Sequence, residues 1–155
     1  MLGWLAHTME EAMSIESILS RKGTDVTTIG PEANIKSAAG WLRAKNIGAL
    51  VVTSGNAVLG LISEREVVDA FSRYGESAGS MPVKEIMQRG VTTVSPDESV
   101  NRVMNLMTHR RVRHMPVLRD GKLAGIVSIG DVVKYRLEEL ELETNVLRDV
   151  YNTSR

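Results

Sequence analysis

The chain has 155 residues, no cysteine, and 19 Lys and Arg balanced by 19 Asp and Glu, so it is one domain's worth of sequence with no global field to hold nucleic acid or an anionic membrane. Lack of cysteine excludes disulfides, thiolate metal sites and thiol nucleophiles and agrees with a reducing, cytoplasmic setting. No apolar run approaches the roughly 20 residues that span a bilayer, and the stretch Met1 to His7 lacks the basic-then-apolar order of a signal peptide.

In chain order, Leu5, Met9, Ala12, Ile15 and Leu19 share one face of a leading helix over 1–21, which stops near Lys22-Gly23 because glycine suits a helix C-terminus. A first unit follows over 22–73. The β-branched run Val26 to Ile29 is broken at Gly30-Pro31, and Ile35, Ala38, Ala39 and Leu42 mark a helix. Ala49 to Thr53 and Val58 to Ile62 then read as two strands around the turn Ser54-Gly-Asn56, and a closing helix starts at Ser63. Residues 74–83, rich in Gly and Ser, form a linker, with Pro82 opening a short helix Val83 to Met87. The second unit, 84–137, repeats the first. It has a strand Val91 to Val94, a stop at Ser95-Pro96, and a helix on Val100, Val103, Met104 and Met107. The strands Met115 to Leu118 and Leu123 to Val127 join through Arg119-Asp-Gly121, and a helix opens at Ser128. A tail, 138–155, prolongs that helix. Val133, Leu137, Leu140, Thr144, Leu147 and Tyr151 alternate in steps of four and three, a heptad seam, while Glu138, Glu139, Glu141 and Glu143 keep the other faces wet. Such a seam either folds back on its own core or meets another subunit.

The two units align without a gap, residue n on residue n + 65, with identities at Val26/Val91, Thr27/Thr92, Thr28/Thr93, Pro31/Pro96, Val52/Val117, Gly60/Gly125, Ser63/Ser128, Val67/Val132 and Val68/Val133. Each copy is too small to bury its own apolar faces, so the pair must pack together about a pseudo-two-fold axis.

Chemistry is concentrated where each closing helix opens, in Gly60-Leu-Ile-Ser-Glu-Arg-Glu-Val-Val68 and Gly125-Ile-Val-Ser-Ile-Gly-Asp-Val-Val133. Ser-x-x-Glu is a capping box, which accounts for Ser63 and Glu66 without any ligand. The second copy fits that explanation less well, because Asp131 is one methylene shorter and Gly130 is a poor helix former. Glycine at a helix start lets a ligand approach the backbone, free N–H groups there suit a phosphate, and a carboxylate one turn in can accept both hydroxyls of a ribose.

The duplicated Gly-φ-φ-Ser-x-x-Asp/Glu-φ-φ motif (φ apolar), together with Arg113-His-Met-Pro-Val117, resembles the CBS domain family over about residues 20 to 137. The resemblance implies an α/β (α+β) fold of two pseudo-symmetric βαββα repeats packed through their sheets, flanked here by the leading helix and the long C-terminal helix. It also implies clefts for adenosine nucleotides (AMP first, then ADP, ATP, NAD(H) or S-adenosylmethionine), with no metal required, and a homodimer. One cleft would join Ser128 and Asp131 to Lys22, Thr24, Asp25, Val26 and Thr27 and to Ile47, Gly48 and Ala49. The apolar strand residues would sandwich adenine, Asp131 would hold the ribose and Ser128 would meet phosphate. The second would join Ser63, Arg65 and Glu66 to Gly90, Val91 and Thr92 and to Val112, Arg113 and His114, with Glu66 where the family commonly has Asp. Arg113 and His114 would face phosphates near the centre.

Other readings have less behind them. His109-Arg-Arg111 with Arg113 makes the densest basic patch, but His109 and Arg110, as cations at a helix C-terminus, complement its dipole, which leaves Arg111, closer to the expected cleft, open to either role. Balanced charge and few aromatics count against a nucleic-acid module built on 109–113. A nucleotide-converting enzyme is disfavoured because there is no phosphate-binding Gly-rich loop, no Rossmann fingerprint and no metal-ligand spacing among His7, His109 and His114. Trp41 follows its helix's apolar stripe and reads as packing, Trp4 as a lid or subunit contact, and the methionines as gap-fillers. The expectation is a non-catalytic, cytoplasmic, homodimeric sensor of energy or redox state.

Overall fold

The computed structural model describes residues 13–154; Trp4, His7 and the leading-helix positions Leu5, Met9 and Ala12 lie outside them. The chain forms two compact units that interleave along the sequence. One takes residues 24–94 and 115–126, the other 13–23, 95–114 and 127–154. No helix among the described residues is long and apolar enough to cross a membrane.

The first unit is built on a three-stranded sheet in the order β1-β2-β3, from Thr28–Ile29 (β1), Ala49–Ser54 (β2) and Ala57–Ser63 (β3). β1 runs parallel to β2, with Thr28 opposite Val51, and β3 returns antiparallel, with Ala49 opposite Ser63. Period-two alternation sends Leu50, Val52 and Ile62 to one face, where they meet Ala38 and Leu42 of helix α2 (Ile35–Lys45) and also Val83 and Met87. Ala49, Val51 and Leu61 point the other way, onto Val26, Val58, Val91, Leu123 and Ile126. Burial on both faces explains the unbroken run Ala49-Leu-Val-Val52. The register slips between Val52 and Thr53, leaving Leu59 as the extra residue of a bulge; this is why Val58 shares a face with Leu61 despite odd spacing. Leu123 and Ile126 belong to β5 (Lys122–Ser128), which pairs with β4 (His114–Arg119) in the second, two-stranded sheet. The repeats thus meet through their sheets.

Helix α3 (Glu64–Tyr74) and the 3-10 turn Gly75–Ser80 complete this unit. The linker is no loose tether, because Ala78 is fully buried against Ile35 and Ala70. The expected short helix Val83 to Met87 is a 3-10 turn over Val83–Glu85, and the expected strand Val91 to Val94 shrinks to a single bridge, Val94 to Val117. Trp41, read from the sequence as packing, is instead half exposed, with Lys45 Nζ 5.7 Å from its ring centre.

The second unit holds α1 (Ile15–Lys22), α4 (Val100–Arg110) and α5 (Ile129–Thr153), with α5 packed on both others. Val132 and Tyr135 of α5 are buried. Arg21 of α1 lies over the Tyr135 ring at 5.0 Å and pairs with Glu138 at 2.7 Å. The tail does not fold back on this core: every residue from Leu140 to Ser154 is exposed.

A second correspondence between the repeats appears in the backbone. Val83 and Lys84 donate N–H groups to the Ala33 and Pro31 carbonyls at 2.8 and 3.0 Å, and Ile35 donates to Met81 at 3.0 Å. In the other unit Ile15 and Glu16 donate to Glu98 and Pro96 at 2.9 and 2.8 Å, and Val100 donates to Met13 at 2.7 Å. The lead-in segment of each repeat, 13–16 or 81–84, is therefore received by the loop of the other repeat.

Candidate ligand site at the helix-opening motifs

Both closing helices begin on the expected serines, and both capping boxes form. At α5, Ser128 Oγ accepts the Asp131 N–H at 3.1 Å and Asp131 Oδ2 accepts the Ser128 N–H at 2.9 Å. The same Oδ2 accepts a hydrogen bond from Lys22 Nζ at 2.6 Å. This ion pair is partly shielded, with 31 % of the lysine and 26 % of the aspartate side chain exposed. Burial pushes the Asp131 carboxyl up, but hydrogen bonds from Lys22 and Ser128, with the lysine's charge, outweigh it and hold the group below its ordinary value of 3.8. Asp131 is therefore an ionised acceptor at neutral pH, engaged through one oxygen. Arg113 lies at the same helix start, its carbonyl accepting the Ile129 N–H at 2.9 Å. A Cβ on Gly130 would meet only Ser128 Oγ, at an ordinary 3.6 Å, so the packing of the chain does not demand glycine there.

At α3 the same motif is closed. Glu66 Oε2 accepts both the Ser63 N–H, at 2.8 Å, and the Ser63 hydroxyl, while Oε1 accepts Gln88 Nε2 at 2.6 Å. Gln88 is held by a two-way backbone bridge to Leu61. That close approach explains Gly60, where a Cβ would fall 2.4 Å from the Gln88 carbonyl oxygen. Arg65 is exposed. Gln88 carried no signal in the sequence, because its contact joins residues 22 positions apart.

Of the residues expected at the first cleft, Lys22, Ser128 and Asp131 are gathered in one unit, whereas Thr24, Asp25, Val26, Thr27, Ile47, Gly48 and Ala49 belong to the other. There the Thr27 carbonyl accepts the Val51 N–H at 3.2 Å, Val26 packs beside Ala49, and Ile47 packs against the core of Ala38 and Leu42. Of the second set, Ser63, Arg65, Glu66, Gly90, Val91 and Thr92 fall in the first unit and Val112, Arg113 and His114 in the second. Arg111 caps α4 in the left-handed region at φ 53, the counterpart of Asn46 at φ 50 after α2. His109 Nδ1 stays on its own helix, 2.8 Å from the Asn105 carbonyl.

The family description "CBS domain" matches residues 15–73 and 83–138. A mitochondrial CBS domain-containing protein, CBSX3, of Arabidopsis thaliana is 34 % identical over 141 residues, covering 83 % of this chain and 67 % of that one. The crystal structure of the CBS-domain containing protein ATU1752 from Agrobacterium tumefaciens superposes with a TM-score of 0.77 at 43 % identity, covering 79 % of this chain and 98 % of that one. The CBS domain pair of protein MJ0100, solved in complex with 5′-methylthioadenosine and S-adenosyl-L-methionine, superposes at 0.69 with 25 % identity, covering 78 % and 97 %. With two tandem matches, the helix-opening motifs duplicated and the repeats packed through their sheets, the chain belongs to the CBS domain family as a CBS pair.

Proposed function

We propose that this CBS pair is a non-catalytic regulatory module, a homodimer that binds an adenosine nucleotide, AMP first among AMP, ADP, ATP and NAD(H), through Asp131 and Ser128. One observation carries the reading: Asp131 is an ionised carboxylate at a helix start, and its partner Lys22 is a flexible side chain that a ligand can displace. Ribose hydroxyls would donate to Asp131, the Ser128 hydroxyl and the helix N-terminus would receive phosphate, and the released ammonium of Lys22 would neutralise it. The related pair MJ0100 holds two adenosine-containing ligands, which supports this ligand class. Exposed apolar side chains at Val68, Phe71 and Tyr74 on α3 and along the α5 tail support a second subunit. Mass spectrometry of nucleotide released from denatured protein, followed by calorimetric titration with AMP, ADP, ATP, NAD(H) and S-adenosylmethionine, tests the proposal. Binding of an adenosine nucleotide in preference to its guanosine counterpart is expected. No heat and no shift in Tm with any of them would overturn it.

A further inference from the structure

Beyond residue 139 helix α5 continues for several turns with every residue exposed, although a lone helix of that length is marginal in water. Its heptad seam stays solvent-facing, with Leu137 56 % and Leu147 70 % exposed and Leu140 between them. Leu142, Val146 and Val150 form a second exposed stripe, about 140° round the helix. Charge separates the two stripes. The second is flanked by Glu138, Glu139, Glu143 and Asp149, so two copies meeting there would set acid against acid. Beside the seam stand Arg136 and Glu143 on one edge and Glu141 and Arg148 on the other.

We infer that the α5 tails of two copies form a parallel, in-register, two-stranded coiled coil along Leu137, Leu140, Thr144 and Leu147, an inference that rests on the dimer reading above. In a parallel pair each residue on the first edge faces the position five residues on in the second copy. That juxtaposes Arg136 with Glu141 and Glu143 with Arg148, opposite charges in both cases and twice over by symmetry. Arg136 also lies 3.4 Å from Glu139 on its own helix, so the outer pair, Glu143 with Arg148, is the cleaner contributor. Antiparallel pairing matches these charges less well: in the register that sets Leu140 opposite Thr144, Glu141 stands beside Glu141 and Glu143 beside Glu143 across the two-fold axis. Leucine at 140 and 147 with β-branched Thr144 between them also suits two strands.

The chain has no cysteine, so single thiols report the geometry cleanly. Leu140→Cys and Leu147→Cys, each in the full chain, are expected to cross-link to covalent dimers under mild oxidation, since facing seam positions lie within disulfide reach. Asn145→Cys on the outer face is expected not to. No antiparallel register brings both seam pairs within reach, because at least one pair is then separated by about 15 Å or more along the axis. Arg148→Glu should weaken the dimer about fivefold, and adding Glu143→Arg should restore it. A dimer by light scattering with no seam cross-link would overturn the coiled coil and leave the dimer standing. A mass near 17.0 kDa would overturn both. A three-copy mass, or cross-links from Val146→Cys and Val150→Cys in place of the seam pair, would also overturn it.

Discussion

The two helix-opening motifs share a serine, two valines and a place in the repeat, yet they are in different chemical states. At Ser63 the longer carboxylate of Glu66 curls back on its own cap and spends both oxygens on Ser63 and Gln88. At Ser128 the shorter Asp131 makes its backbone contact with one oxygen, and the ammonium of Lys22 shares it. One methylene, and the identity of the neighbour, separates a motif whose carboxylate is held by a serine and a glutamine from one whose carboxylate is shared with a lysine ammonium. A capping box and a ribose site use the same atoms, so the question at each copy is which partner holds the carboxylate.

The sharpest way to break this comparison is Asp131→Ala. It is expected to cost about 1.5 to 3 kcal/mol of nucleotide binding, roughly a 10-fold to 150-fold loss by calorimetry. Glu66→Ala should leave the tightest binding nearly unchanged. The reverse outcome, with Glu66→Ala abolishing binding and Asp131→Ala tolerated, would exchange the roles of the two motifs. Glu66→Ala should instead register in stability, by about 1 kcal/mol as for a lost cap, or about 2–4 °C in Tm for a chain of this size. Scanning calorimetry without nucleotide reads that effect directly. The smallest effect is in acid. A carboxylate held below its ordinary pKa contributes stability that is present above that value and lost as pH falls through the lower folded one. Asp131→Asn and Lys22→Ala should therefore each flatten the decline of Tm below about pH 4. Profiles parallel to the parent's would deny the pairing any role in stability.

Much of this was legible in the chain itself. The gap-free spacing of Pro31/Pro96, Gly60/Gly125 and Ser63/Ser128 located the repeats, and the hairpin turns fall at Gly55, with φ 57, and at Asp120-Gly121, with φ 52 and 75. What escaped depends on partners remote in sequence. The lead-in segments correspond at an offset of 68, not 65, Ser14 bridging Ser99 as Pro82 bridges Asn34, so a single-offset alignment passes over them. Accordingly the family match begins at residue 15, within what the spacing presented as a separate leading helix. Val91 to Val94 has strand propensity, but only Val94 finds a ladder partner. Trp41 sits on an apolar stripe, yet the neighbouring buried positions Ala38 and Leu42 already fill that contact. Lys22 was placed by family resemblance alone, and the structure adds that its ammonium pairs with Asp131.

The exchanged lead-in segments have a consequence for the fold's ancestry. Ile15 and Glu16 donate to carbonyls of the second repeat, and Val83 and Lys84 donate to carbonyls of the first. A half-length gene product would have no second loop to receive its own first turn. It could pair those donors only by trading the segment with an identical neighbour, a three-dimensional domain swap. Tandem duplication then makes such a swap permanent, because the residues between Tyr74 and Met81 tether the two halves in one molecule. Splitting the gene there and mixing the separately expressed halves should rebuild the heterodimer, whereas either half alone should assemble with itself.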